Sequence, residues 1–274
     1  MAVLTVQSGA TVAKGLFPVL GAAATASVRN GLSAMILLAV FRPPLRRLTA
    51  GQWRAVVPYG VTIGVMNLLF YETIARIPLG LGVTLEFIGP LGLAIVGSRR
   101  LLDVLWVGLA ALGIALIAPW QAGSAIDPVG VALGLLTGVC WAAYIVLGGR
   151  VAQRLPGGPA VAVGMLLATL TVLPFAVAGG GLARFSPRLF VSGVVLALLS
   201  SALPFTLEMH ALRALPGRTF SILMSLEPAV GALWGLLFLN ERLTRGQSAA
   251  VGLVIAASIG ATLTATKVPV HLEV

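Results

Sequence analysis

Two carboxylates, Glu86 and Glu227, stand in long apolar runs, and each has a proline just C-terminal to it, Pro90 and Pro228. An ionised carboxylate at the middle of a bilayer costs about 2.5–3.5 kcal/mol on insertion scales. It therefore faces the interior of a bundle, pairs with a partner, or takes up a proton. Pro90 cannot donate to the carbonyl of Glu86, four residues back, and Pro228 cannot donate to that of Met224. Glu86 and Met224 are 138 residues apart, so the two places are equivalent in a repeat described below. Glu227 lies three residues beyond Met224, nearly one helical turn, and keeps roughly the same face. A free carbonyl beside a carboxylate in a bent helix can bind an ammonium group or a proton. The plainer alternative is a structural kink.

Other polar groups in apolar surroundings are fewer and shallower. Glu208 follows Pro204 by four residues with His210 close behind, and Glu72 follows Tyr71 near the end of its apolar run. Such side chains can snorkel to an interface instead of acting at depth. Arg29, beside Asn30, sits inside an apolar run and either snorkels or pairs with an acid such as Glu227. Trp141 and Tyr144 are three apart and share a helical face, where they line a cavity or simply pack. Asp103, Asp127, Glu241 and Glu273 fall in loops or at the ends of runs and read as solvated or helix-capping carboxylates. Cys140, the single cysteine, has no disulfide partner and no metal-ligand spacing. No cofactor or metal is expected.

The elements that must position these residues follow from composition. The chain is 58% hydrophobic and 9% charged, with mean hydropathy +1.04. A soluble domain carries roughly 25% charged residues. This is the composition of an integral membrane protein. The net charge of +10 sits at the ends of apolar runs, so it marks membrane orientation and not a nucleic-acid surface. A span needs about 20 mostly apolar residues. Ten spans are expected, near 2–20, 24–41, 55–75, 79–97, 102–120, 128–148, 159–178, 189–211, 217–239 and 246–266. The first holds Gln7, Ser8, Thr11 and Lys14 and reads as a shortened helix, not as a cleavable signal. The fold class expected is an all-α membrane protein.

The halves repeat at an offset of 138: Pro18 matches Pro156, Pro78 matches Pro216, Pro90 matches Pro228, Asp103 matches Glu241 and Gly108 matches Gly246. Matched prolines imply matched bends. Residues 1–122 and 123–274 are the two repeats. Counting Lys and Arg in alternate loops gives eleven on one side and six on the other, with Arg29 left out. That bias places both termini in the cytoplasm. Five spans per half invert the second copy, an arrangement that supports alternating access. A central cavity bounded by spans one, three, four, six, eight and nine is expected, with Glu86 and Glu227 facing inward.

The strings Tyr59-Gly60-Val61, Met66-Asn67, Leu85-Glu86-Phe87-Ile88-Gly89-Pro90 and Ser98-Arg99-Arg100 resemble bacterial inner-membrane threonine/homoserine exporters of the EamA type, in the drug/metabolite transporter superfamily. So do Cys140-Trp141-Ala142-Ala143-Tyr144, Ala202-Leu203-Pro204, Leu207-Glu208-Met209 and Leu223-Met224-Ser225-Leu226-Glu227-Pro228. The resemblance runs from about Gly9 to Lys267. Glu72, His210 and the shortened first helix depart from it. It implies ten helices in an inverted five-plus-five repeat and efflux of small metabolites across the cytoplasmic membrane. Expected partners are an amino-acid substrate, protons and membrane lipid. Proton antiport would use Glu86 or Glu227, with Glu208, Asn67, Trp141, Tyr144 and Arg29 as further candidates and Pro90, Pro204 and Pro228 as bends. Export of another metabolite or drug class, or a passive channel, stays open. An enzyme is not expected, because paired catalytic acids, a His-rich metal set, Gly-x-Ser-x-Gly and a phosphate loop are all missing.

Overall fold

The computed structural model describes residues 2–96, 101–117, 126–204 and 224–264. Among these residues there are nine α-helices and no strand. They are α1 Ala2–Phe41, α2 Ala50–Ile74, α3 Leu79–Val96, α4 Leu101–Ile117, α5 Pro128–Ala152, α6 Gly157–Ala178, α7 Pro187–Ala197, α8 Glu227–Leu239 and α9 Arg245–Thr264. A π-helical turn over Leu198–Ala202 extends α7.

Helix α1 is two arms joined at Gly21, whose backbone is non-helical with φ 76° and ψ 167°. A side chain is strained at that positive φ, and glycine is not. The arms 2–20 and 22–41 coincide with the first two expected spans. Five of the nine helices (α1, α2, α5, α6 and α9) are long and apolar enough to cross a membrane. Large apolar side chains cover the outside, with Met35, Val40, Val139 and Phe238 each more than 60% exposed. That is the surface hydrocarbon requires.

Helix boundaries follow local chemistry. Thr49 and Gln52 form a capping box at the start of α2. Asp127 caps α5, its carboxylate accepting the Val129 N–H at 2.8 Å, with Pro128 in the first turn. The expectation of a capping carboxylate at Asp127 holds. Helix α8 starts at Glu227, so Pro228 lies in its first turn, not in the middle of a span. A proline there loses no helical hydrogen bond. Glu208, His210 and the preceding part of span nine lie outside the described residues.

Helix α3 is the hub. It packs against α5 on one side and α8 on the other. Its seam with α5 is backbone on backbone: a methyl added to Gly89 would overlap the Gly138 carbonyl, and a β-carbon on Gly138 would lie 2.9 Å from the Glu86 carbonyl oxygen. The carbonyl that Pro90 frees is therefore turned into the α3–α5 seam. The expectation that it is open to bind an ammonium group is corrected: close glycine packing has covered it.

This seam gives a stability prediction. Gly89→Ala should lower the detergent melting temperature, by a destabilisation of about 1–3 kcal/mol for overpacking. Gly92→Ala should not, because nothing lies within 4 Å of its β-position. Equal melting of the two variants would contradict the tight seam.

Candidate functional site

A cavity of about 550 Å³ lies in the middle of the bundle. Of the ten residues singled out from sequence, Arg29, Asn67, Glu86, Pro90, Trp141, Tyr144, Pro204 and Glu227 line it. Glu208 lies outside the described residues, and Pro228 is buried in the first turn of α8 without being part of the wall. The lining comes from both arms of α1, from α2, α3, α5, α6 and α9, and from the segments around Ser200 and Met224. It is broader than the six spans expected, because the second arm of α1 adds Arg29, α6 adds Met165, and α9 adds Ser258 and Thr262.

The two glutamates reach the cavity by different routes. Glu86 projects from the body of α3, four residues before Pro90. Glu227 is in the first turn of α8 and 5% exposed. A helix N-terminus carries partial positive charge and favours a carboxylate there. Glu86 has no such support.

Aromatic rings frame one wall. Trp141 meets Phe87 edge-on at 5.2 Å, and Tyr144 stacks on Tyr59 at 5.3 Å. The expected shared face of Trp141 and Tyr144 does look into the cavity. On another wall Asn67 donates to the side chain of Asn30 at 2.9 Å, a buried pair. Ser225 and Ser258 share a hydrogen bond of 2.8 Å.

Arg29 occupies an unexpected place. Its Nη2 donates to the carbonyl oxygen of Ser200 at 3.1 Å, and its guanidinium lies 5.6 Å from the centroid of the Tyr71 ring. Pro204, four residues on, cannot donate to that carbonyl, and Arg29 does. Among the described residues Arg29 makes no ion pair. Of the two alternatives for Arg29, snorkelling or pairing with an acid such as Glu227, the described residues show neither, and its contact is with this carbonyl.

Residues that sequence reasoning passed over also line the cavity: Gln7, Ser200, Ser225, Ser258 and Thr262. The repeat offset was a usable signal. Gln7 and Ile145, Met66 and Pro204, Glu86 and Met224, and Phe87 and Ser225 are each 138 apart, and all eight face the cavity.

One end of the bundle is closed by charge. Lys14 forms an ion pair with Glu241 and donates to the Ile77 carbonyl at 3.0 Å. The second carboxylate oxygen of Glu241 accepts the Leu79 N–H at 2.7 Å, capping α3 from another part of the chain. Glu241 is 13% exposed in its side chain, so the expectation of a solvated carboxylate is corrected, while its capping role stands. Glu72 lies near the same end, paired with Arg76, which also approaches Asp127 at 3.7 Å. It is outside the cavity wall.

Residues 128–263 match the model of the EamA-like transporter family. The chain is 45% identical over 269 residues to the threonine/homoserine exporter RhtA of Escherichia coli strain K12, covering 97% of this chain and 90% of that protein. It is 44% identical over 271 residues to the threonine/homoserine exporter RhtA of Salmonella typhimurium strain LT2, covering 98% and 91%. A crystal structure with 17% identity superposes with a TM-score of 0.55 over 96% of this chain and 94% of the other, a likeness of fold.

The Lys14–Glu241 pair should couple measurably. Glu241→Gln leaves a partly buried ammonium without its counter-charge. Lys14→Met with Glu241→Leu should be less destabilised than the sum of the single changes, by about 0.5–3 kcal/mol. Additive losses in a double-mutant cycle of detergent melting would show that the pair contributes nothing.

Proposed function

The chain belongs to the threonine/homoserine exporter family of EamA-like transporters, in the drug/metabolite transporter superfamily, and on that premise we propose that it exports small amino acids of the threonine and homoserine kind by proton antiport. The observation that carries this reading is one cavity holding two carboxylates, Glu86 and Glu227, and one guanidinium, Arg29. A zwitterion needs both signs in its site.

The proposed cycle uses ten crossings in two inverted repeats, residues 1–122 and 123–274, with both termini in the cytoplasm. Facing the cytoplasm, Glu86 is ionised and holds the substrate ammonium. Facing the other side, it takes a proton, and the ammonium leaves because its counter-charge is gone. Return to the first face releases the proton inward. Glu86 is the carrier in this cycle, because it projects into the cavity from the body of α3, while Glu227 stands at the start of α8. Lys14 and Glu241 then close the non-cytoplasmic end while the cavity is loaded from the other.

The volume supports a second reading. Sites of roughly 300–1,000 Å³ hold drug-sized ligands, so a cavity of about 550 Å³ also suits a larger metabolite.

The test is efflux of labelled threonine or homoserine from proteoliposomes carrying an inward proton gradient. Glu86→Gln should fold and insert normally and lose at least about tenfold of gradient-driven flux, the scale of one proton-transfer group's contribution. Glu227→Gln should lose less. Full gradient-driven transport in both variants would remove proton coupling from these glutamates.

A further inference from the structure

Six buried side-chain atoms among the described residues have no hydrogen-bond partner, and three of them stand around one backbone carbonyl. Among the described residues, Arg29 Nε, the Tyr71 hydroxyl and the Ser201 hydroxyl are all buried and unpartnered. They belong to one neighbourhood. Arg29 lies over the Tyr71 ring and is bonded to the carbonyl of Ser200, the residue before Ser201. The Phe17 ring packs on Tyr71 from α1, at 5.5 Å between centroids. Tyr71 and Ser201 are fully buried. Each unpartnered group of this kind costs about 1–3 kcal/mol. A cluster of three is far from the usual economy of a protein interior.

The cluster has a consistent sign. Arg29 carries N–H donors only, and one of them is engaged, on Nη2. Both hydroxyls can donate. The described residues place no acidic side chain in an ion pair with Arg29. The π-helical turn Leu198–Ala202 lies just before Pro204, which has no N–H to give the Ser200 carbonyl four residues back. Such turns concentrate at functional sites. That carbonyl anchors Arg29 through Nη2, and Nε is left without a partner among the described residues. Arg29 and Ser200 both open on the cavity.

We propose that Arg29, with the Tyr71 hydroxyl and the Ser201 hydroxyl behind it, is the seat of the transported molecule's carboxylate. This rests on the reading of the chain as an amino-acid exporter and deepens it: the substrate is held by its carboxylate at the π-turn and by its ammonium at the glutamates. A guanidinium binds a carboxylate through two parallel N–H donors. The unused nitrogens of Arg29 supply them once the side chain swings on its Ser200 anchor, and Tyr71 holds the guanidinium plane against its ring. The seat therefore selects molecules with a free carboxylate, and side-chain size is left to the aromatic wall of Trp141 and Phe87.

The experiment measures binding of L-threonine and L-threoninamide to the purified full-length protein in detergent. The amide keeps the ammonium and the side chain and loses only the carboxylate charge. The wild-type protein should prefer threonine by about 10- to 100-fold, the range of charge-assisted hydrogen bonds. Arg29→Gln should bind both ligands with nearly equal weakness. Arg29→Lys should keep part of the preference, because the charge stays and the fork is lost. Tyr71→Phe and Ser201→Ala, which leave the ion in place, should each reduce the preference a few-fold. If monodisperse Arg29→Gln keeps the wild-type ratio, the seat is elsewhere while the exporter reading stands. If Arg29→Gln fails to fold, unchanged ratios in both Tyr71→Phe and Ser201→Ala overturn the seat. Equal binding of acid and amide by the wild type also overturns it. Failure of the wild type to bind any amino acid, with binding of a metabolite that lacks a carboxylate, overturns the exporter reading and the seat together.

Discussion

A backbone carbonyl in hydrocarbon has to find its donor inside the protein, because no water is there to supply one. Two prolines that line the cavity, Pro90 and Pro204, each withhold an N–H from the carbonyl four residues back, and a third, Pro228, does not. Pro90 frees the Glu86 carbonyl, and α5 covers it by bringing Gly138 against the α3 backbone. Pro204 frees the Ser200 carbonyl, and Arg29 reaches across from α1 to donate to it. Pro228 avoids the problem by sitting in the first turn of α8. Each repair joins different helices, so the same constraint that bends the chain also decides which helices meet.

The repeat sets the positions, and departures from it set the chemistry. Five residue pairs at the 138-residue offset face one cavity. Their side chains differ in polarity: Glu86 opposes Met224, and Gln7 opposes Ile145. Two equal halves would give a cavity without direction. Unequal ones place a carboxylate in a helix body on one side and a carboxylate at a helix start on the other.

The Lys14–Glu241 contact shows how one end is held. A lysine in the first arm, two backbone groups at the start of α3, and a glutamate after α8 meet at one point. Those are the elements that must separate if the cavity opens at that end. A fifth or less of each side chain of the pair is exposed, so removing either partner leaves a charge that is largely out of water.

Composition determined the class of this protein, because a chain with so few charges has no means of covering itself in water. Apolar run length located the helices: six of the ten expected spans coincide with described helices, and the first two form the arms of α1. The mid-run glutamates were legible for the same reason, since an acid in hydrocarbon is too costly to be there by accident. What the sequence left open was every relation between distant residues. That Arg29 would bind a carbonyl and not an acid depended on Ser200, 171 residues away. That the Glu86 carbonyl would be covered depended on a glycine in α5. That Glu241 would leave solvent depended on Lys14. Local pattern fixes which backbone groups lack a donor. Only packing, which brings remote segments within a few ångströms, decides what satisfies them.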